Sequence, residues 1–201
     1  MDITPALIKE LREKTGAGIM DCKGALKETN GDVDKAVDLL RKKGIASAEK
    51  KSGRSTGDGL IHAYIHAGGK LGVLVEINCE TDFVARTDEF KDFVHDIAMH
   101  IAAAEPRYVS KEEVTEDDLA RERAIYIEQA KAEGKPDHIA EKIVDGKMNK
   151  FYSQVCLMDQ PYVKDQDKTV GTLLKEAIAK FGENMQIARF VRFKLGEDAL
   201  N

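Results

Sequence analysis

Apolar positions in the first fifty residues recur at helical spacing. Leu7, Ile8 and Leu11 share one face, Ile19, Cys22, Ala25 and Leu26 form a second stripe, and Val33, Ala36, Val37 and Leu40 follow an i, i+3, i+4, i+7 pattern. Thr4 ahead of Pro5 predicts a capped first helix that ends at Thr15-Gly16. Gly16-Ala17-Gly18 turns the chain, Asn30-Gly31 closes the second helix, and Asp32 caps a third with a break near Gly44. The segment therefore reads as a bundle of three short helices. Its Gly-Ala-Gly follows a helix and lacks both the third glycine of a dinucleotide loop and the lysine of a phosphate loop, which leaves it a turn.

The period then changes. Ala48 to Gly59 is small, charged and Gly-rich, predicting a linker with a domain boundary near residue 54, so that 1–54 and 55–201 are separate domains. Two alternating runs follow, with Ile61, Ala63 and Ile65 on one face of the first and Val73, Val75, Ile77 and Cys79 on one face of the second. With Ala67-Gly68-Gly69-Lys70 between them they form a β-hairpin. A third strand is predicted at Ile187–Leu195. Phe90, Phe93, Val94, Ile97, Ala98 and Ile101 make the strongest amphipathic stripe, in a helix opening near Thr87-Asp88-Glu89 and ending before Pro106. Further helices are expected around Thr115–Ala132, Asp137–Met158 and Thr169–Phe181. The predicted class is α+β, with a small antiparallel three-stranded sheet covered by helices.

Composition narrows the partners. Hydrophobic residues make up 42% of the 201, enough for a core, and 31 Lys+Arg against 36 Asp+Glu give a formal charge of -5. A general nucleic-acid binder carries a basic excess instead. Residues 1–54 hold 12 Lys+Arg and 9 Asp+Glu, so the acidic character belongs to the remainder of the chain. No apolar run approaches the ~18 residues of a membrane helix, and the N-terminus lacks the features of a secretory signal. A cytoplasmic protein is the expectation. Cys22, Cys79 and Cys156 form no close pair, which suggests reduced thiols.

Candidate chemistry is sparse. His62 and His66 would share a face on a helix, but on a strand they stand about 13 Å apart, too far for one metal ion. His95, His100 and His138 have no partner at ligand spacing and read as surface residues. No nucleophile, phosphate-loop or acid-base signature appears, so neither an enzyme nor a cofactor is expected. The stretch Glu76–Arg86 is different, because it places Asp82-Phe83 in a connection between a strand and a helix. Phe83 either folds back as a core plug, with Asp82 as a capping residue, or projects to bind.

Two long motifs carry a resemblance. Leu11-Arg12-Glu13-Lys14-Thr15-Gly16-Ala17-Gly18-Ile19-Met20-Asp21-Cys22-Lys23 and Glu76-Ile77-Asn78-Cys79-Glu80-Thr81-Asp82-Phe83-Val84 resemble, in order, the N-terminal and central signatures of the bacterial elongation factor Ts family. Gly134-Lys135-Pro136, Gln160-Pro161-Tyr162-Val163 and Phe190-Val191-Arg192-Phe193 extend the likeness over nearly the whole chain. The resemblance implies a ubiquitin-associated-like module at 1–54 and a core domain at 55–201. It further implies guanine-nucleotide exchange on elongation factor Tu, with Thr81, Asp82, Phe83 and Val84 intruding beside the partner's Mg2+ site. Arg12, Ile19 and Met20 match docking positions, and His66 resembles another partner contact. An adaptor that binds without exchange activity is the alternative. Only one unit of the type His66-turn-strand-Thr81-Asp82-Phe83-Val84 is present, as in the short form of the family, which implies a homodimer.

Overall fold

The computed structural model describes residues 3–134 and 136–197, without the side chains of 137–140. Its architecture is α+β, with an N-terminal helical region and a small antiparallel sheet. The N-terminal helices are α1 (Pro5–Thr15), α2 (Ile19–Glu28) and α3 (Val33–Lys51). Thr4 caps α1 by accepting from the Leu7 amide, Gly16 ends it in a left-handed conformation, and Asp32 caps α3 by accepting from the Lys35 amide. Leu11, Cys22, Ala25, Leu26 and Ala36 are buried together, with Leu7, Ile8, Val37 and Leu40 against them.

The third helix departs from expectation. It runs through Gly44 to Lys51, and Ala48 is buried, so only the stretch from Ser52 to Gly57 connects it to the first strand. Gly44 marks a close approach instead of a break. A Cβ there would lie 3.1 Å from the Cβ of Ala179, tighter than ordinary carbon contacts of about 3.5–4.0 Å.

Strands β1 (Asp58–Ile65), β2 (Leu71–Cys79) and β5 (Met185–Lys194) form the sheet in the order β1-β2-β5. Gly59 has φ 148°, and a Cβ on it would meet the Ile77 carbonyl oxygen at 2.3 Å, so only glycine lets β1 lie against β2 here. Between β2 and β5 come α4 (Asp82–Ala85), α5 (Asp88–Ala104), α6 (Glu116–Ala132), α7 (Asp137–Val155), a short pair β3 (Pro161–Tyr162) and β4 (Asp165–Thr169), and α8 (Val170–Phe181). The antiparallel β3–β4 pair has no signal in the alternation pattern, because it is short and mostly polar. Helices α6 and α7 pack as a hairpin over Val144, Met148 and Phe151, with Arg123 paired to Asp145 and Lys147 to Gln129.

The chain gathers into two compact units. One comprises residues up to Leu60, Ile77–Phe93 and Thr172–Gln186; the other comprises Ile61–Glu76, Val94–Gly171 and the chain from Ile187 onward. Each therefore draws on distant segments.

Two expectations about faces need correction. Val73, Val75, Ile77 and Cys79 are buried as the alternation implies, but Ile61 and Ile65 point outward, while His62 and Tyr64 take the inner, half-buried positions. His62 hydrogen-bonds His95 at 3.2 Å and Tyr64 stacks edge-on to the same ring, which explains why β1 turns its polar side inward. His100 is fully buried rather than superficial. It lies three residues beyond Ile97 on the apolar stripe of α5, where its Nε2 bonds the Gln160 side-chain oxygen at 2.9 Å and its Nδ1 accepts from the Val163 amide. Burial pushes its pKa below the ordinary 6.5. His95 is exposed, and His138 lies outside the described residues.

Candidate functional site

The Thr81–Val84 segment occupies the short step between β2 and α5. Asp82 to Ala85 form one helical turn, too brief to stand on its own hydrogen bonds. Ala85 is buried beneath it, whereas Phe83 is 83% exposed. The core-plug reading of Phe83 is thereby excluded, and Asp82 pairs with Arg86 at 2.8 Å across the turn.

What holds this turn comes from far along the chain. One carboxylate, Glu183, accepts from the amides of Glu80 (3.1 Å) and Thr81 (3.0 Å) through Oε2 and from the Thr81 hydroxyl (2.6 Å) through Oε1. The next residue returns the favour, its amide donating to Glu80 Oε1 at 2.6 Å. Asn184 is buried, and its side-chain Nδ2 donates to the carbonyls of Ser52 (3.4 Å) and Arg54 (2.8 Å). Arg54 in turn pairs with Glu80 at 3.4 Å. The Asn184 amide and the Arg54 guanidinium together hold the Glu80 carboxyl below its usual range, against some desolvation. Below the segment, the Cys79 thiol donates to the Thr81 carbonyl, and burial beside Glu183 pushes its pKa up.

A second apolar display stands at the α1–α2 corner. Arg12 is exposed, with its carbonyl accepting the Gly16 amide, and Ile19 and Met20 sit exposed on the first turn of α2. Their helices are fixed by the buried stripe of Leu11, Cys22 and Leu26 on the opposite side. Both displays belong to the first unit, whereas His66 belongs to the second. The His66 Nδ1 bonds the Tyr64 hydroxyl at 2.9 Å, and among the described residues no group of three or more His, Cys, Asp or Glu is arranged to hold a metal ion. Glu183 and Asn184 escape sequence reasoning: they follow the end of α8 without periodicity, and nothing local ties them to a motif a hundred residues earlier.

Comparison with known proteins now bears on these features. Residues 45–197 match the family model described as Elongation factor TS. Over 197 residues, 98% of this chain and 91% of the relative, identity is 63% with elongation factor Ts of Geotalea uraniireducens. It is 61% over the same span with that of Geobacter sulfurreducens. With that of Carboxydothermus hydrogenoformans it is 59% over 195 residues, covering 97% of this chain and 90% of the relative. The chain belongs to the elongation factor Ts family. Membership makes it a factor of translation elongation. The family match begins inside α3, so the elongation factor Ts core includes the sheet, the Thr81–Val84 turn and Glu183. No helix among the described residues is long and apolar enough to cross a membrane.

Proposed function

We propose that the chain is a guanine-nucleotide exchange factor for elongation factor Tu, working in the cytoplasm by binding and without covalent catalysis. The observation that carries this reading is Phe83, an aromatic side chain 83% exposed on a turn that is braced from beneath. Leaving such a ring in water forgoes about 1.5–3 kcal/mol of burial, which a partner groove recovers. In the proposed encounter Arg12, Ile19 and Met20 dock residues 1–54 on the GTPase. Thr81–Val84 of the core then meets the Mg2+ site, with Phe83 as the wedge, Asp82 supporting the displaced geometry and His66 as a further contact.

Thermodynamics sets what each part supplies. A factor that favours the GTPase state with a disturbed metal site weakens GDP, and GDP weakens the factor by the same ratio. Shifting affinity by about 10^4 takes roughly 5.5 kcal/mol of differential binding, more than one ring provides. Docking must therefore add its share, and GTP can enter once GDP has left.

Stopped-flow release of labelled GDP from elongation factor Tu tests the proposal. Acceleration by the wild-type chain is the expected result; binding without acceleration would leave an adaptor and overturn it.

We also propose a homodimer joined through the outer sheet face. Ile61, Ile65, Leu74, Val191 and Phe193 are exposed on it. Ile65 reaches over Gly72, and Arg189 pairs with Glu76, so the three strands present one surface. An apolar patch of this kind is unusual on a lone soluble domain. Light scattering should give twice the chain mass of 22.3 kDa, falling to the single mass on Phe193→Glu; a wild-type value near 22.3 kDa at micromolar concentration would refute the dimer.

A further inference from the structure

We infer that Glu183 is a positioning residue for the exchange step. With Glu80 and Asn184 it forms a polar clasp that fixes the Thr81–Val84 turn, with Phe83 projecting, and ties it to the chain leaving α3. The inference rests on the exchange reading above, but its geometry is independent of any partner.

Four observations carry it. A four-residue helix cannot hold its own shape, because its first amides have no partners within it. Here Glu183 receives the amides of residues 80 and 81, immediately before the turn, and leaves the Thr81 side chain fully engaged. Hydrogen bonds to an ionised acceptor are the stronger class. The arrangement is also reciprocal: Glu80 accepts from the residue that follows Glu183, so neither carboxylate can move without releasing the other strand end. Finally, Asn184 is buried and spends its side-chain amide on the carbonyls of Ser52 and Arg54, at the exit of the docking module.

A consequence is a division of labour. Phe83 touches the partner, and Glu183 determines where Phe83 stands when the docking module has bound. An unclasped turn would still carry the ring, but as a mobile group whose ordering opposes insertion.

The test uses Glu183→Gln and Phe83→Ala in the full chain. It measures GDP release from elongation factor Tu over a range of factor concentrations, together with hydrogen exchange at the Glu80 and Thr81 amides in the free protein. For Glu183→Gln we expect the maximal release rate to fall by about tenfold. The half-saturating concentration should stay within about twofold, and both amides should exchange faster. Glu80→Gln, which weakens the other half of the clasp, should likewise lower the maximal rate and speed exchange of both amides with the half-saturating concentration held, and it serves if Glu183→Gln fails to fold. Wild-type release by Glu183→Gln beside slowed release by Phe83→Ala would overturn the positioning role, as would a loss of binding parallel to the loss of rate. Should Phe83→Ala release GDP at the wild-type rate, the wedge role of Phe83 falls instead, while the exchange reading is overturned by a wild-type chain that binds without accelerating release. Amide exchange then decides the clasp alone: faster exchange in Glu183→Gln upholds it, and unchanged protection refutes it.

Discussion

The α1–α2 corner and the Thr81–Val84 turn solve one problem in two ways. Each must hold apolar side chains in water. At the corner, Ile19 and Met20 ride on a ten-residue helix whose other side is buried with Leu11 and Leu26, so ordinary hydrophobic packing holds the display. At the turn, Phe83 rides on four residues whose orientation depends on a carboxylate 102 positions beyond Thr81. Packing tolerates small shifts, whereas short hydrogen bonds to one carboxylate define position and direction. On the proposed function, the contrast suits a surface that only has to adhere and a side chain that has to reach one place.

The largest expected effect would come from breaking the packed side. Leu26→Ala empties a fully buried site and should cost about 2–5 kcal/mol, read as a lowered midpoint in chemical denaturation; an unchanged midpoint would mean that the α1–α3 core does not support the corner. Phe83→Ala sharpens the other side, since the ring contributes almost nothing to the fold. Its unfolding midpoint should stay within about 0.5 kcal/mol of wild type, while GDP release slows by about tenfold. Met20→Ala should raise the half-saturating concentration by about fivefold, with the maximal rate retained. If it lowered the rate instead, the corner would be acting in exchange and the two displays would not differ in kind.

The smallest effect concerns pH. His100 is kept neutral by burial, so its folded pKa lies below the ordinary 6.5. The unfolded chain therefore binds a proton that the folded chain refuses, and stability should fall as pH drops below about 6.5. Thermal midpoints from pH 7.5 to 5.5 check this, and His100→Gln should flatten the part of the slope that His100 contributes.

The same contrast explains what could be read before folding. Thr4, Gly16 and Asp32 act on neighbours three or four residues away, and the helices they bound were legible. The inward face of β2 was equally legible from alternation. His100 was recoverable, because its distance from Ile97 places it on the stripe, and only its polarity argued for the surface. The outward turn of Ile61 and Ile65 was not recoverable, since it depends on what His62 and Tyr64 meet on α5. Gly44 looked like a breaker because its reason, Ala179, lies on another helix. In the candidate site, Phe83 was singled out by its place in a connection, but Glu183 had no local signature. Polar clasps between distant segments leave no period.

That distance has a meaning during synthesis. The α1–α2 corner is complete once the first three helices have left the ribosome, yet the Thr81 turn waits for Glu183. At roughly 5–20 residues per second, the intervening hundred residues take on the order of 5–20 s. For that interval a nascent chain has its α1–α2 corner but no fixed Thr81 turn, so on the proposed function the short link between α8 and β5, made late, is what arms the molecule.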